Sequence, residues 1–218
     1  MALTKFNFNS FDLTTVASTG LAFNASANGF DTAAAGSMTL IKTTTASGVG
    51  NVDLTHGSND VVLDGTYDTY LFKLINIHVS AQCEFAVNFS TDGGSSYGVT
   101  LTSTAFDTYH MENASASALR YLTGGDLAQS TSFQPVTSVT PNTDNDASYS
   151  GYLHLFDPSN TTFVKHFIAR SNTYYEGDSS IDSYTGGYCN VTAAIDGVDF
   201  KFSSGNIDSG VIKMYGVL

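Results

Sequence analysis

Short apolar runs separated by turn residues fill the sequence from position 38 onward, and no helical period persists beyond two turns. The longest run, residues 67–79 (YDTYLFKLINIHV), is largely apolar on both faces, which predicts a central strand buried on two sides. Residues 198–202 (VDFKF) alternate apolar and charged side chains, as a half-buried strand does. About nine or ten such strands follow one another, a pattern typical of a sandwich or a barrel.

Turn and loop chemistry narrows the fold class. The sequence Thr-Asp-Gly-Gly at 91–94 predicts a tight hairpin that returns residues 96–102 antiparallel to residues 83–90. A helix of about two turns is predicted for one segment, residues 114–122. The absence of strands alternating with helices excludes a parallel α/β fold, and long irregular connections favour a jelly roll. We therefore expect an all-β, jelly-roll-like antiparallel β-sandwich over residues 38–218.

Residues 1–37 have a different composition, with Ala, Ser, Asn and Gly in abundance and only Lys5, Asp12 and Asp31 charged. Their phenylalanines are irregularly spaced, which predicts an extended N-terminal arm without a core of its own. The aromatic side chains would dock either on the same domain or on another subunit or virion surface, and the sequence leaves both alternatives open. The candidate interface residues are Phe6, Phe8, Phe11, Phe23 and Phe30.

The charge balance excludes two classes of partner. The chain carries 20 Asp and Glu against 8 Lys and Arg, for a formal net charge of −12. The basic residues are scattered, so no patch matches a phosphate backbone, and we expect no nucleic acid partner. Anionic membrane surfaces are disfavoured for the same reason. No apolar stretch approaches the ~18 residues of a membrane span, so we expect no membrane insertion.

Catalytic and metal-binding patterns are weak, and we predict a protein that is not an enzyme and carries no cofactor. No Gly-x-Ser-x-Gly elbow occurs, the chain has no Trp, and most acids are Asp in turns, where they cap the backbone. The loops at 144–148 and 176–182 hold oxygen ligands that would suit Ca²⁺, with solvated acidic loops as the alternative. Cys83 and Cys189 suit the role of small buried hydrophobes, and whether they form a disulfide stays open.

Tyrosine is the residue type that most suggests ligand binding. The chain holds 12 Tyr, several of them in predicted loops. A tyrosine presents an apolar ring and a polar tip, which suits sugars and protein interfaces alike. The candidate glycan or receptor residues are Tyr174, Tyr175 and Tyr184.

Four segments carry a family resemblance: residues 38–45 (MTLIKTTT), 67–78 (YDTYLFKLINIH), 90–97 (STDGGSSY) and 204–217 (SGNIDSGVIKMYGV). Together they resemble structural proteins of tailed bacteriophages, as found in aquatic and cyanobacterial phages. The resemblance implies a β-sandwich or jelly-roll virion component, of the tail-fibre or capsid-decoration type, and commonly a trimer. It implies no active site. The chain lacks a long fibrous stalk, which favours a short fibre, an adaptor or a decoration protein.

We therefore expect a non-enzymatic structural protein located in the virion, a capsid- or tail-attached appendage, decoration or cement protein. Its expected partners are further copies of itself, as a homotrimer, and other phage structural proteins of the capsid or tail. The alternative is a receptor-recognition module of a tail fibre that binds a host-surface glycan. The Tyr-bearing loops favour the alternative, and the phenylalanines of the arm favour the assembly role.

Overall fold

A computed structural model describes residues 21–23, 30–32, 37–139, 143–175 and 177–218. The chain divides into two compact units, Met1–Ser37 and Met38–Leu218. In the first unit, strands β1 (Leu21–Phe23) and β2 (Phe30–Thr32) pair antiparallel, with Phe23 opposite Phe30. The other interface candidates, Phe6, Phe8 and Phe11, lie outside the described residues.

The second unit is a two-layer antiparallel β-sandwich. Its strands are β3 (Met38–Val49), β4 (Asn51–Thr55), β5 (Thr69–Val79), β6 (Phe85–Ser90), β7 (Leu101–Met111), β8 (Ser117–Tyr121), β9 (Gln134–Pro135), β10 (Tyr149–Phe156), β11 (Lys165–Tyr175), β12 (Ser179–Cys189), β13 (Gly197–Phe202) and β14 (Ile207–Val217). The eight-stranded sheet has the order β3-β14-β5-β10-β11-β12-β7-β8, and the four-stranded sheet has the order β4-β13-β6-β9. No described residue is helical. The predicted all-β antiparallel sandwich is confirmed, while the jelly-roll subtype stays a prediction.

The core lies between the inner faces of the two sheets, and Phe85 is at its centre. The Phe85 ring centroid is 4.9 Å from that of Tyr149 on the large sheet and 4.9 Å from that of Phe202 on its own sheet. Phe72 of β5 packs against Phe200 of β13 at 5.5 Å. Full burial of one such side chain contributes roughly 1.5–3 kcal/mol, so these rings dominate the attraction between the sheets.

Strand β5 lies between β14 and β10 in the interior of the large sheet, as predicted. The predicted burial of both faces holds only in part, because Lys73 and Ile75 on the outer face are half-buried. Strand β13 places Val198, Phe200 and Phe202 in the core, as its alternation predicts. The outer face of the small sheet is also covered, by the loop that precedes β9. The Asn88 side-chain amide donates to the carbonyl oxygens of Thr131 and Ser132, at 3.0 Å each. This cover explains why both faces of β6 are buried, including the polar Asn88 and Ser90 on its outer face.

Two local predictions are wrong. The segment predicted as a helix at 114–122 contains the edge strand β8. The backbone of this strand pairs antiparallel with β7, which places Ala118 and Arg120 on one face and Leu119 and Tyr121 on the other. The turn at 91–94 has the expected positive φ angles, 70° at Gly93 and 76° at Gly94. It does not close a hairpin, because β6 pairs with β13 and β9 whereas the next strand, β7, belongs to the other sheet.

The two cysteines are free and buried, and they form no disulfide. The Cys83 thiol donates to the Ser204 carbonyl oxygen at 2.7 Å. Burial raises the pKa of Cys189 to about 12. A thiol with so high a pKa stays protonated near neutral pH and is a poor nucleophile. Both side chains therefore act as small apolar groups of the core.

Candidate binding surface

The outer face of the large sheet is the broadest exposed feature of the sandwich. Side chains on this face point away from the core, and several large apolar ones stay open to solvent: Ile168 is 51% exposed and Phe106 is 40% exposed. Strand β11 shows the alternation clearly, because Phe167, Ala169 and Ser171 are buried while the residues between them are exposed. Exposed apolar groups gathered on one face are typical of an interaction surface.

One row of side chains crosses all eight strands on this face. The strand registers place each member directly opposite the next. In sheet order, from β3 to β8, the row contains Thr43, Lys213, Lys73, Tyr152, Arg170, Tyr184, Phe106 and Tyr121. With neighbouring strands about 4.8 Å apart, the row is roughly 33 Å long. We call it the aromatic–cationic row.

Tyr184 is held in place by its neighbours in and beside the row. Its ring stacks on Phe106, with centroids 4.8 Å apart and planes 5° from parallel. The Arg170 guanidinium carbon lies 4.9 Å from the Tyr184 centroid on the adjacent strand. The Tyr184 hydroxyl donates to Asp182 Oδ2 at 2.9 Å, and Arg170 Nη2 donates to the same oxygen at 2.7 Å. A ring fixed in this way loses little conformational entropy when a ligand binds.

The electrostatics of this group follow from the shared carboxylate. Burial disfavours the charged form of Asp182, but hydrogen bonds from Arg170 and Tyr184 outweigh that effect and lower its pKa. The same hydrogen bond, together with burial and the nearby negative charge, raises the pKa of the Tyr184 hydroxyl. At neutral pH the group is therefore an ionised Arg170–Asp182 pair beside a neutral tyrosine.

A shallow depression of about 320 Å³ lies next to Tyr152. Its lining residues are Ser150, Gly151, Tyr152, Arg170, Asn172 and Asp182. They combine hydroxyl, amide and charged groups with one aromatic ring. Gly151 allows the close approach of β10 and β11 at this point, since a Cβ there would lie 2.3 Å from the Arg170 carbonyl oxygen. The depression supplies donors and acceptors beside a flat apolar surface.

The structure separates the three tyrosines that the sequence suggests as ligand-binding residues. Tyr184 lies in the aromatic–cationic row. Tyr174 lies on the same face, near one end of β11, where its hydroxyl donates to Asp178 Oδ1 at 2.9 Å. Tyr175, the next residue of the strand, points to the opposite face. The three do not form one site.

Sequence reasoning missed Tyr152, Arg170, Phe106 and Tyr121. A partial signal exists in residues 152–156, where Tyr152, His154 and Phe156 alternate with buried leucines and so place three rings on one face. The row itself could not be found in this way, because it depends on which strands are neighbours.

The acidic loops carry polar contacts of another kind. His78 Nδ1 lies 3.3 Å from Asp208 Oδ2, and His78 Nε2 lies 3.1 Å from the Asp144 carbonyl oxygen. Within the described ranges, no group of three or more His, Cys, Asp or Glu side chains is arranged to hold a metal ion. Glu176, one of the residues suggested for Ca²⁺, lies outside those ranges.

A pair of carboxylates lies on the outer face of the small sheet, where Asp53 of β4 is directly opposite Asp199 of β13. Asp199 is only 4% exposed, and the Asn51 side-chain amide donates to its Oδ1 at 2.9 Å. Burial raises the pKa of Asp199, with a further contribution from the charge of Asp53. The buried carboxyl is closed to a ligand and costs stability when ionised.

We expect Asp199→Asn to raise the free energy of unfolding at pH 7 by about 1 kcal/mol. The pKa of Asp199 in the folded state lies above 3.8, the ordinary value of an aspartate, so the folded state binds the Asp199 proton more tightly than the unfolded state does. The stabilisation of the folded state by this proton is full below pH 3.8 and is lost as the pH rises through the pKa of Asp199 in the folded state. Urea unfolding should show a gain at pH 7 that shrinks towards pH 4. Asp53→Asn should give a smaller gain, because it removes only the neighbouring charge and leaves Asp199 buried. A variant less stable than the parent at pH 7 would contradict the assignment.

The described part of the chain contains no helix that is long and apolar enough to cross a membrane. Comparison with family models, with curated proteins and with solved structures gave no match to this chain.

Proposed function

We propose that the chain is a non-enzymatic structural protein of a phage virion, an appendage or decoration attached to the capsid or tail, and that its aromatic–cationic row binds a host-surface glycan. The virion role is supported by the sequence resemblance and by the charge-poor, acidic β-sandwich. The glycan role is supported by one observation above all, the exposed row of rings held across neighbouring strands. Assembly into homotrimers through the phenylalanines of residues 1–37 is part of the same proposal.

The row suits a glycan because sugars have two kinds of surface. A pyranose ring has an apolar C–H face and a rim of hydroxyl groups. The exposed ring of Tyr152 offers a flat apolar platform, the stacked pair of Phe106 and Tyr184 adds a partly exposed aromatic surface two strands away, and the tyrosines add a polar tip. The Arg170–Asp182 pair and the amide of Asn172 lie beside them as donors and acceptors for hydroxyl groups. An open row of this length fits an extended chain of sugars.

A subunit contact is the competing use of this face, and the row's charges argue against it. Buried centres of protein interfaces are depleted in charged residues. The row carries Lys213 on β14, Lys73 on β5 and Arg170 on β11, all inside the sheet edges. Covering the two lysines with the same face of a second copy would cost desolvation, because Asp182, the acid beside the row, is already bound by Arg170. The same groups are an advantage at an open site that binds a polar ligand.

The virion role is tested on purified particles. Mass spectrometry should find the chain in them, and electron cryomicroscopy should place it on the capsid or tail surface. Deletion of residues 1–37 should abolish incorporation. Particles that lack the chain, or incorporation that survives the deletion, would contradict the assembly role.

The glycan role is tested by binding of the full chain to an array of bacterial surface polysaccharides. We expect Tyr152→Ala, which removes an exposed ring, to weaken binding to the best ligand roughly 3–10-fold, the amount expected for one lost stacking contact. Tyr184→Ala should weaken binding less, because the faces of this ring already contact Phe106 and Arg170. Phe163→Ala is the matched control, since this ring is 68% exposed and lies in the loop before β11. Equal losses for all three variants, or no binding by the parent chain, would contradict the proposal.

A further inference from the structure

Two lysines lie directly opposite each other in the row. Lys73 of β5 and Lys213 of β14 are register partners, and the residues on either side of each in sequence include the buried Phe72, Leu74, Ile212 and Met214. Both ammonium groups therefore reach the outer face. Like charges opposite each other across two strands destabilise a sheet. Within the described chain, neither lysine forms an ion pair.

The surroundings do not neutralise the pair. Lys73 Nζ lies 5.2 Å from the Tyr215 ring centroid, a contact that favours a cation without neutralising it. Among the described positions of the row and of its neighbours on either side, the nearest acid is Asp182, and Arg170 already binds it. The chain has a net charge of −12 and only 8 basic residues, yet three of these, Lys73, Lys213 and Arg170, lie in this one row.

The overall negative charge does not prevent anion binding at this place. The Debye length is about 8 Å at physiological ionic strength, so acids farther away along the surface are largely screened. The local potential is then set by the two ammonium groups. An unbalanced cationic pair on an acidic protein is explained most simply by an anionic ligand.

We propose that Lys73, Lys213 and Tyr152 form a subsite for a carboxylated sugar of the uronate type. The inference rests on the proposed glycan binding and names the class of sugar. The ligand carboxylate lies between the two ammonium groups, and the sugar ring stacks on Tyr152, which is the register partner of Lys73 on the other side. The carboxylate and the stacked ring must therefore belong to the same sugar residue of the ligand, because the strands that carry Lys73 and Tyr152 are only about 4.8 Å apart.

This geometry favours a uronate over other anions. A ringless polyanion such as polyphosphate would leave Tyr152 without a partner. The bidentate guanidinium of Arg170, the group best shaped for phosphate, is occupied by Asp182. The two lysines act as point charges, which a single carboxylate can satisfy.

The test uses the full chain with oligogalacturonate and with its methyl ester, which keeps the sugar rings and removes the charge. We expect the parent to bind the acid about tenfold more tightly than the ester at low salt, and the ratio to fall as salt is added. The double variant K73Q/K213Q should bind both equally, and Tyr152→Ala should weaken both. The control K42Q/K201Q removes two lysines elsewhere, since Lys42 donates to the Asn59 carbonyl oxygen and Lys201 lies over Phe133.

The outcomes separate this inference from the proposal beneath it. Equal binding of acid and ester by the parent overturns the uronate subsite and leaves glycan binding intact, whereas no binding of either overturns both. Stronger binding of polyphosphate than of oligogalacturonate also overturns the uronate subsite, as does a preference for the acid that K73Q/K213Q retains.

The melting temperature gives an independent readout. Loss of a purely structural contact would lower it, while we expect the double variant to melt at the same temperature or higher, because like-charge repulsion is removed.

Discussion

Replacing Phe85 with Ala is expected to lower the free energy of unfolding by about 3–5 kcal/mol, the usual cost of removing a buried aromatic ring. Phe85 is fully buried and joins three rings: Tyr149 of the large sheet, and Phe200 and Phe202 of the small one. The cavity left behind would lie at the point where the sheets meet. A loss of this size is comparable with the whole stability of many single domains.

The measurement is denaturant unfolding followed by far-UV circular dichroism at 25 °C. Phe85→Leu should cost much less, since it keeps most of the volume and the apolar character. Phe163→Ala, which truncates an exposed ring, should change stability by less than about 0.5 kcal/mol. If Phe85→Ala and Phe163→Ala had similar effects, Phe85 would not be the centre of the core.

The second large effect is expected at the edge of the large sheet, where Arg120→Ala should cost about 3 kcal/mol. Arg120 of β8 binds Asp107 of β7 through two parallel hydrogen bonds, of 2.9 Å from Nε and 2.6 Å from Nη2. The Asp107 side chain is fully buried, whereas that of Arg120 is 44% exposed. Removing the arginine leaves a buried carboxylate without its counter-ion, although solvent at the exposed side moderates the cost.

A double-mutant cycle separates the lost charge pair from lost packing. In an Asp107→Asn background a neutral amide replaces the carboxylate, so Arg120→Ala should cost less than about 1 kcal/mol. Hydrogen exchange should show faster exchange of the β8 amides in Arg120→Ala, because the pair fixes this strand to the sheet. Equal costs in both backgrounds would show that the arginine stabilises β8 by packing on Tyr109, which lies 4.7 Å away.

Alternation and turn residues were sufficient to predict the class of this fold but not its pairing. Each strand's own pattern showed which residues face the core, as with Val198, Phe200 and Phe202. The partners of a strand lie far away in the sequence, as when β6 pairs with β13 instead of the strand after its turn. The helix predicted at 114–122 fails for a related reason: its apolar residues and Arg120 find their partners on β7, which local propensity does not describe.

The candidate site could be predicted from the sequence even less than the strand pairing. Only Tyr184, of the three tyrosines suggested by the sequence, lies in the row. The aromatic–cationic row takes one residue from each of eight strands, so that no two members are neighbours in sequence. A motif search along the chain would pass over it, because its spacing exists only after the sheet has formed.

The position of β14 between β3 and β5 has a kinetic consequence. Strands β3 and β5 emerge early in synthesis, but each needs β14, which follows β5 by more than one hundred residues, to form its backbone hydrogen bonds on that side. Closing such a long loop precedes most of the stabilising contacts, and proteins dominated by non-local pairs fold in milliseconds to seconds. During that interval both strands present open edges to other chains. Crowding nascent copies together would favour intermolecular pairing over completion of the sheet, so the yield of native protein should fall with the rate of expression.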